Sequence, residues 1–317
     1  MKALMLAPDF FGYDKRIKEE LENNNLEVDL FDDFSTYFTD SFIKKILRKF
    51  FKKYLKNNYF KRIYKLILNR NYDIIFIIKG DEIPESFFLK IKNYNIKLIS
   101  YQWDEIERFP NFKKISKYFD RVLTYNKYEA QKYNYIYLPF FYSFSYKKNK
   151  KIYDVSYIGT YKPKRYEILN KLYPIFIKNC KEVNINIYIS KIRYYLNLFF
   201  LKDKFSLLTN KQLDYQETIE IFSNSKAIIE IINKKQTVTT TRSIEAIGLE
   251  TKVITTLQNI VEYDFYNKNN FFILNEHYKN EDLNNWLEIP YEEIDTKIKE
   301  KYSISNWAKT LIKEFEK

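Results

Sequence analysis

Three threonines, one arginine and one glutamate stand close together between residues 239 and 248. The segment reads Thr-Thr-Thr-Arg-Ser-Ile-Glu-Ala-Ile-Gly, and its threonines are suited to capping a helix. Arg242 falls in the first turn, where a cation opposes the helix dipole unless an anion lies nearby. Arg242, with Thr241 beside it, can therefore hold a diphosphate, while Glu245 can accept hydrogen bonds from a ribose diol. The alternative is a local Arg242–Glu245 ion pair of about 0.3–0.5 kcal/mol.

A second group of polar residues follows the apolar run that begins at Asp154. Gly159 and Thr160 end that run, and three cations follow within five residues, the last of them Arg165. Pro163 suits the first turn of a helix. Backbone amides, a helix amino end and cations together predict a phosphate-binding corner. A plain strand–helix turn with solvated cations is the alternative.

Carboxylates follow two apolar runs of the first half of the chain. Asp81 comes directly after Lys79-Gly80, and Asp104 comes after Trp103. A carboxylate at a strand end can act as a general base that takes the proton of a substrate hydroxyl. Asp104 is the first candidate, ahead of Asp9 and Asp81, although an aspartate at a strand end also caps helices. The chain has no D-x-D motif, one histidine and one cysteine, so no metal site is predicted.

Residues 43–65 form a basic amphipathic stretch with ten Lys or Arg and no acid. Apolar side chains from Ile43 to Leu55 recur at helical spacing, and lysines together with Arg48 occupy the other positions. Such a helix can lie on an anionic membrane surface. The alternative is an ordinary helix with its apolar stripe on a sheet and a solvated basic rim.

Alternating strand and helix patterns must position these residues. The predicted strands are Lys2–Ala7, Glu27–Phe31, Asp73–Ile78, Lys97–Trp103, Arg121–Tyr125, Tyr135–Pro139, Asp154–Ile158, Asn184–Ile189, Ala227–Ile232, Lys252–Thr256 and Phe271–Leu274. Helical patterns between them predict two tandem Rossmann-like α/β domains. We place the first domain at 1–140, an aperiodic basic linker at 141–152 and the second domain at 153–317, with its last helix packing back on the first domain. Facing sheets would form an interdomain cleft.

Composition narrows the class of protein. The 317 residues are 45% hydrophobic and 19% aromatic and carry a formal net charge of +13, which favours an anionic partner. No motif of a dinucleotide-binding loop or a P-loop is present. Apolar runs stay below the roughly 18–20 residues that span a bilayer, and these features predict a cytoplasmic protein.

The segment from Thr240 to Thr256, continued by Tyr-Asp-Phe-Tyr-Asn at 263–267, resembles a bacterial glycosyltransferase family. This is the family of polysaccharide and lipopolysaccharide biosynthesis proteins related to the spore-maturation, glycosyltransferase-like proteins. Asp154–Thr160 with Arg165 is similar to the start of its donor domain. The segments at 103–104, 119–122 and 137–142 resemble its first domain. The matches span about residues 73 to 275.

This resemblance implies the two-domain GT-B fold, a nucleotide-sugar donor in the second domain and a glycan acceptor in the first. A lipid-linked acceptor would bring the protein to the inner face of the cytoplasmic membrane. No cofactor beyond the donor and no nucleic acid is expected. Retaining enzymes of this fold carry two glutamates eight residues apart, but Thr237 stands where the first would be, so retention is not implied. A phosphopolyol transferase, a sugar epimerase and a non-catalytic anion- or nucleic-acid-binding protein are the alternatives.

Overall fold

The computed structural model describes residues 1–144, 151–200, 207–233 and 236–317. The chain divides into two compact units, Met1–Phe140 with Ile304–Lys317 (unit 1) and Phe141–Ser303 (unit 2). The predicted linker 141–152 falls partly outside the described residues, which omit 145–150.

Parallel strands alternate with helices through both units. The strands are β1 (Lys2–Leu6), β2 (Glu27–Phe31), β3 (Ile74–Ile78), β4 (Lys97–Gln102), β5 (Arg121–Thr124), β6 (Ile136–Tyr137), β7 (Tyr153–Thr160), β8 (Val183–Tyr188), β9 (Leu208–Thr209), β10 (Ser225–Glu230), β11 (Lys252–Thr255) and β12 (Phe271–Ile273). The helices are α1 (Tyr13–Asn23), α2 (Phe42–Arg70), α3 (Glu85–Ile91), α4 (Pro110–Ile115), α5 (Lys127–Tyr133), α6 (Pro163–Asn179), α7 (Lys191–Phe200), α8 (Tyr215–Ser223), α9 (Thr241–Gly248), α10 (Asn280–Glu288), α11 (Thr296–Lys301) and α12 (Ile304–Glu316).

The sheet of unit 1 has the strand order β2-β1-β3-β4-β5-β6, and its neighbouring strands pair in parallel. All five residues of β3 are buried, as expected of a central strand that helices cover on both faces. The chain runs outward from β1 to β2 and then returns to the other side of β1 as β3. This reversal places a crevice at the carboxyl ends of β1 and β3, where ligands bind in open α/β sheets.

Helix α12 belongs to unit 1 although it closes the chain. The Trp307 ring lies 5.0 Å from the Tyr101 ring, and the Phe315 ring lies 5.6 Å from the Phe76 ring. Lys97 donates from Nζ to the Phe315 carbonyl across 2.7 Å. Buried aromatic contacts of this kind stabilise by more than their area alone, so α12 holds to the sheet through β3 and β4.

The sheet of unit 2 repeats this plan with the order β12-β11-β10-β7-β8-β9. Its crevice lies where the chain reverses, at the carboxyl ends of β7 and β10. Among the described residues, the strand that the sequence patterns did not predict is β9, which has two residues and is too short to show a period of two. No helix in the described ranges is both long and apolar enough to cross a membrane.

Candidate functional site

Unit 2 places its most polar strand ends at the crevice between β7 and β10. These two strands pair in parallel, so their carboxyl ends lie at the same edge. Lys162, just after β7, donates from Nζ to Asn233 Oδ1, just after β10, across 3.2 Å. Helix α9 begins at the same edge, eleven residues after β10 ends. The crevice therefore combines two strand ends with a helix amino end.

Arg242 joins α9 to the end of β7. Its Nη2 donates a hydrogen bond to the Ile158 carbonyl across 2.6 Å, and its guanidinium carbon lies 5.3 Å from the centroid of the Tyr157 ring. A guanidinium held by a carbonyl and an aromatic face stays in one position. Arg242 thus presents a fixed cation beside the crevice, in the first turn of α9.

Glu230 holds the amino end of α9 from the end of β10. The carboxylate is fully buried and accepts from Thr240 Oγ1 across 2.6 Å and from Thr255 Oγ1 across 2.7 Å. Thr240 in turn caps α9 by accepting from the Arg242 backbone N–H at 3.1 Å. Because hydrogen bonds to a buried charge are strong, Glu230 fixes where the helix begins.

Buried polar atoms beside this helix end have no hydrogen-bond partner within the described part of the chain. They are Thr239 Oγ1 and Ser243 Oγ; Arg165 Nε, in the helix that follows β7, has no partner among the described residues either. Thr239 and Ser243 are buried and flank the first turn of α9, and Arg165 stands in the first turn of α6. Buried polar atoms without partners are uncommon in folded proteins, and two of them lie here next to a helix amino end that favours anions.

The absence of a side chain at Gly159 leaves room for the ring of Tyr157 on the same strand. A Cβ at Gly159 would lie 2.6 Å from Tyr157 Oη and 2.9 Å from Cζ. Tyr157 is fully buried and lies under the Arg242 guanidinium. A side chain at position 159 would therefore displace the ring that supports Arg242.

Glu245 has partners on another side of α9. Its carboxylate accepts from the Tyr215 hydroxyl and from the Ser143 backbone N–H, and the residue is buried. Tyr215 begins α8. A ribose diol on Glu245 would have to share or replace these two donors.

Asp104 lies in unit 1, just after β4, with its side chain 33% exposed. Lys79 Nζ lies 4.0 Å from one carboxylate oxygen, and Arg108 Nη1 lies 3.9 Å from the other. Burial raises the pKa of Asp104 above its ordinary value, Asp81 adds to this effect, and the two cations oppose it. A carboxylate whose pKa is raised is a better proton acceptor than an ordinary surface aspartate.

The loop that carries Lys79 is held in an uncommon backbone conformation. Lys79 has φ 69° and Gly80 has φ 72°, the left-handed region that a lysine rarely adopts. Gln102 donates from Nε2 to the Lys79 carbonyl across 2.8 Å, and Asp33 accepts from the Gly80 N–H across 3.3 Å. Strained backbone persists where surrounding contacts hold it and is concentrated at functional sites. This loop keeps Lys79 beside Asp104.

The structure places some of the predicted site residues together and others apart. The structure brings Arg242 to the strand end that carries Gly159, and it places Thr241 at the first position of α9. Thr160 is exposed at the end of β7, and Glu245 contacts Tyr215 and Ser143. The sequence patterns missed Glu230, whose acid at a strand end was a signal of the kind used for Asp104.

Comparison with known proteins gives a fold and no sequence family. No model of a known protein family matches the sequence, and no curated protein matches it significantly. A UDP-GlcNAc 2-epimerase from Methanocaldococcus jannaschii is similar in structure, with a TM-score of 0.59, 12% identity and coverage of 100% of this chain and 99% of that one.

Two glycosyltransferases are also similar in structure. The lipopolysaccharide outer core galactosyltransferase WaaB has a TM-score of 0.55 and 11% identity, covering 98% of each chain. MurG from Acinetobacter baumannii has a TM-score of 0.55 and 10% identity, covering 99% of each chain. These likenesses over the full length confirm the predicted pair of Rossmann-like domains and the GT-B fold.

Proposed function

We propose that this protein is a glycosyltransferase that moves a sugar from a nucleotide donor to a glycan acceptor. The observation that carries the proposal is the crevice of unit 2, where Arg242, the capped amino end of α9 and the loop after β7 lie together. Fixed cations beside a helix amino end suit a diphosphate, which carries its charge on several oxygens. Neighbours of the same fold include the galactosyltransferase WaaB and MurG.

The charges near the crevice favour an anion. Lys162, Lys164 and Arg165 follow β7, and Arg242 adds a fourth cation, whereas the buried Glu230 carboxylate is occupied by the threonines that it holds. A diphosphate leaving group gains negative charge as its bond to the sugar breaks. Cations that are already in position stabilise that charge without reorganising.

In the proposed reaction, Asp104 takes the proton of an acceptor hydroxyl. The hydroxyl oxygen forms a bond to the anomeric carbon of the donor sugar, and the bond from that carbon to the diphosphate oxygen breaks. The diphosphate leaves with the electron pair and stays at the crevice of unit 2. The raised pKa of Asp104 supports this role.

The finer part of the proposal concerns the acceptor. We infer a surface polysaccharide or lipopolysaccharide precursor carried on a lipid, reached from the cytoplasmic face of the membrane. The resemblance of residues 240–256 to polysaccharide biosynthesis proteins and the basic stretch 43–65 support this choice.

A thermal-shift screen of UDP-, GDP- and CMP-linked ligands tests the donor site. A specific ligand binds the folded state and raises the melting temperature by mass action. Arg242→Ala should abolish the shift, whereas Arg193→Ala, an exposed arginine of α7, should keep it. If no nucleotide shifts the wild type, or if Arg242→Ala responds as the wild type does, the donor site is wrong.

Sugar epimerisation is the second candidate function, because UDP-GlcNAc 2-epimerases are among the structural neighbours, with TM-scores of 0.55–0.59. Epimerases of this fold usually place histidines among their acids, and the one histidine here, His277, is exposed after β12. Incubation with a nucleotide sugar without acceptor separates the two functions. An epimerase converts the sugar and keeps it on the nucleotide, whereas a transferase releases nucleotide when an acceptor is added.

A further inference from the structure

Helix α2 turns its apolar side away from unit 1 over its first half. Ile43, Phe50 and Tyr54 are 69%, 73% and 66% exposed. Leu47, which completes this row on the helix surface, is also exposed. An isolated exposed hydrophobic side chain is ordinary, whereas a contiguous row of large ones marks an interaction surface.

The opposite side of the same segment meets unit 1 through its cations. Arg48 donates to the backbone carbonyls of Phe34, Ser35 and Tyr37 at 2.7, 2.9 and 3.0 Å. Lys52 and Lys56 both pair with Glu82 at 2.6 Å. The expectation of an apolar stripe packed on the sheet therefore does not hold here. It holds only farther along α2, where Tyr59, Phe60, Ile63 and Ile67 enter the core.

Exposed lysines without carboxylate partners lie on one flank of the same segment. Lys45, Lys49 and Lys53 are exposed, and no acid in the described ranges pairs with them. Residues 43–65 contain no acidic residue. This part of α2 therefore combines an exposed apolar row with unpaired positive charge on one flank of the helix.

A cavity continues the surface toward the carboxyl end of α2. It has a volume of about 420 Å³ and lies between α2 and α3, with Asn57, Asn58, Lys61, Ser86 and Lys90 in its lining. Asn57 also borders the shallow depression formed with Phe50 and Tyr54. Helical geometry is interrupted at Phe51 (φ −111°, ψ 17°); beyond it, Lys61 lies seven residues after Tyr54 and therefore on the same side of the helix at 100° per residue. Two lysines and two asparagines suit a phosphate group.

We propose that this surface binds an anionic phospholipid bilayer. The apolar row Ile43, Leu47, Phe50 and Tyr54 enters the boundary between head groups and acyl chains, and the α2–α3 cavity holds one lipid phosphate through Lys61 and Lys90. The part of the row before the break at Phe51, from Ile43 to Phe50, spans about 10 Å at 1.5 Å per residue, which suits a helix lying in the plane of the interface. This inference rests on the lipid-linked acceptor of the proposed function, but its test needs neither donor nor acceptor.

Charge decides the occupant. A second copy of this strongly basic chain would bring the same unpaired lysines face to face, and like charges repel. An anionic bilayer supplies both an apolar layer and phosphates at the depth where each is needed. The bilayer therefore satisfies the apolar row and the cavity at once.

Flotation with vesicles tests the proposal on the full chain. The wild type should float with vesicles of phosphatidylcholine mixed with phosphatidylglycerol and stay behind with phosphatidylcholine alone. F50S/Y54S should lower the partition coefficient on the order of tenfold or more. K49Q/K53Q and K61Q/K90Q should each lower it roughly 30-fold, since each cation near the surface adds about fivefold.

Matched variants on other surfaces separate this effect from general charge or hydrophobicity. Ile177→Ser removes an exposed apolar residue of α6, and K178Q/K309Q removes two exposed lysines of α6 and α12. Both should float as the wild type does, and circular dichroism checks that every variant is folded.

The assignment of this surface to membrane binding is wrong if the wild type fails to float, or if F50S/Y54S floats as the wild type does. The proposed role of the cavity in binding a lipid phosphate is wrong if K61Q/K90Q floats as the wild type does. Light scattering that shows a dimer lost in F50S/Y54S would assign the row to a second copy and overturn the proposal. A wild type that fails to float but responds to nucleotides in the thermal-shift screen leaves the donor site in place.

Discussion

Glu230 Oε1, at the end of β10, accepts a hydrogen bond from Thr240 Oγ1 across 2.6 Å. The bond crosses from a strand to the residue that caps α9, and the same carboxylate reaches Thr255 at the end of β11. Three elements of unit 2 are thereby held at one edge of the sheet. Arg242 follows Thr240 by two residues, so the bond between Glu230 and Thr240 also sets the position of Arg242.

Replacing Glu230 with alanine should destabilise unit 2 and weaken donor binding. The buried Thr255 hydroxyl and the half-buried Thr240 hydroxyl would lose an acceptor, so we expect the free energy of unfolding to fall by about 2–4 kcal/mol. Urea denaturation followed by circular dichroism measures this change. Glu276→Ala, which removes an exposed glutamate, should change it little, and equal effects of the two variants would contradict the role of Glu230.

Gly159→Ala should displace the Tyr157 ring from beneath Arg242. Because the added methyl would lie 2.6 Å from Tyr157 Oη, we expect a loss of about 1–3 kcal/mol in stability together with weaker nucleotide binding. Tyr157→Phe removes the closest atom, and Oη has no hydrogen-bond partner among the described residues.

The double variant Y157F/G159A should therefore recover part of both losses, as measured by urea denaturation and by the thermal shift with nucleotide. Tyr157→Phe alone should be close to the wild type. If the double variant is no better than Gly159→Ala, the contact between these two residues is not the cause.

Asp33 should make stability fall as pH rises from about 4 to about 6. Burial raises the pKa of this fully buried carboxyl to about 6, Ser35 lowers it through hydrogen bonds, and Asp32 and Asp81 raise it. The folded state then holds a proton that the unfolded state has lost. Its contribution is complete below the unfolded pKa near 4 and is lost through pH 6, on the order of 3 kcal/mol.

Urea denaturation across this pH range measures the slope. Asp33→Asn cannot ionise, so its curve should lack this fall with rising pH, while Asp282→Asn, at an exposed position, should keep it. Glu129, with a pKa raised by burial to about 7, continues the trend in all variants. An Asp33→Asn curve parallel to the wild type would contradict the assignment.

Arg48 and Lys49 are adjacent in the chain but should respond differently to replacement. Arg48→Met removes the donors to three backbone carbonyls of the loop after β2, and we expect a loss of about 2–3 kcal/mol in stability. Lys49→Met exposes no such group and should stay within about 0.5 kcal/mol of the wild type. Urea denaturation of the two variants measures these losses. Similar losses would show that Arg48 and Lys49 do not differ in their contacts with unit 1.

The strands and the fold class could be predicted from the sequence because burial leaves a local trace. Ile74–Ile78 is apolar at every position, since a central parallel strand is covered on both faces. The role of Arg242 could also be predicted from its local sequence, because a cation in the first turn of a helix needs an anion or another partner. These signals span only a few residues, and a sequence carries them in full.

The partners of those residues depended on the tertiary structure. The Ile158 carbonyl that accepts from Arg242 lies 84 residues earlier in the chain, on β7. Glu230, the acid that accepts from Thr240, lies on β10. No local pattern states which strand ends become neighbours, since that follows from the order β10-β7 in the sheet.

Helix α2 shows the same division between sequence and structure. The spacing of Ile43, Phe50 and Tyr54 determined that they share one side of a helix, because 3.6 residues make a turn. It did not determine which side meets the protein. Tertiary contacts decided that, since the carbonyls after β2 and the carboxylate of Glu82 bind Arg48, Lys52 and Lys56 from within unit 1, and the apolar row is left facing outward.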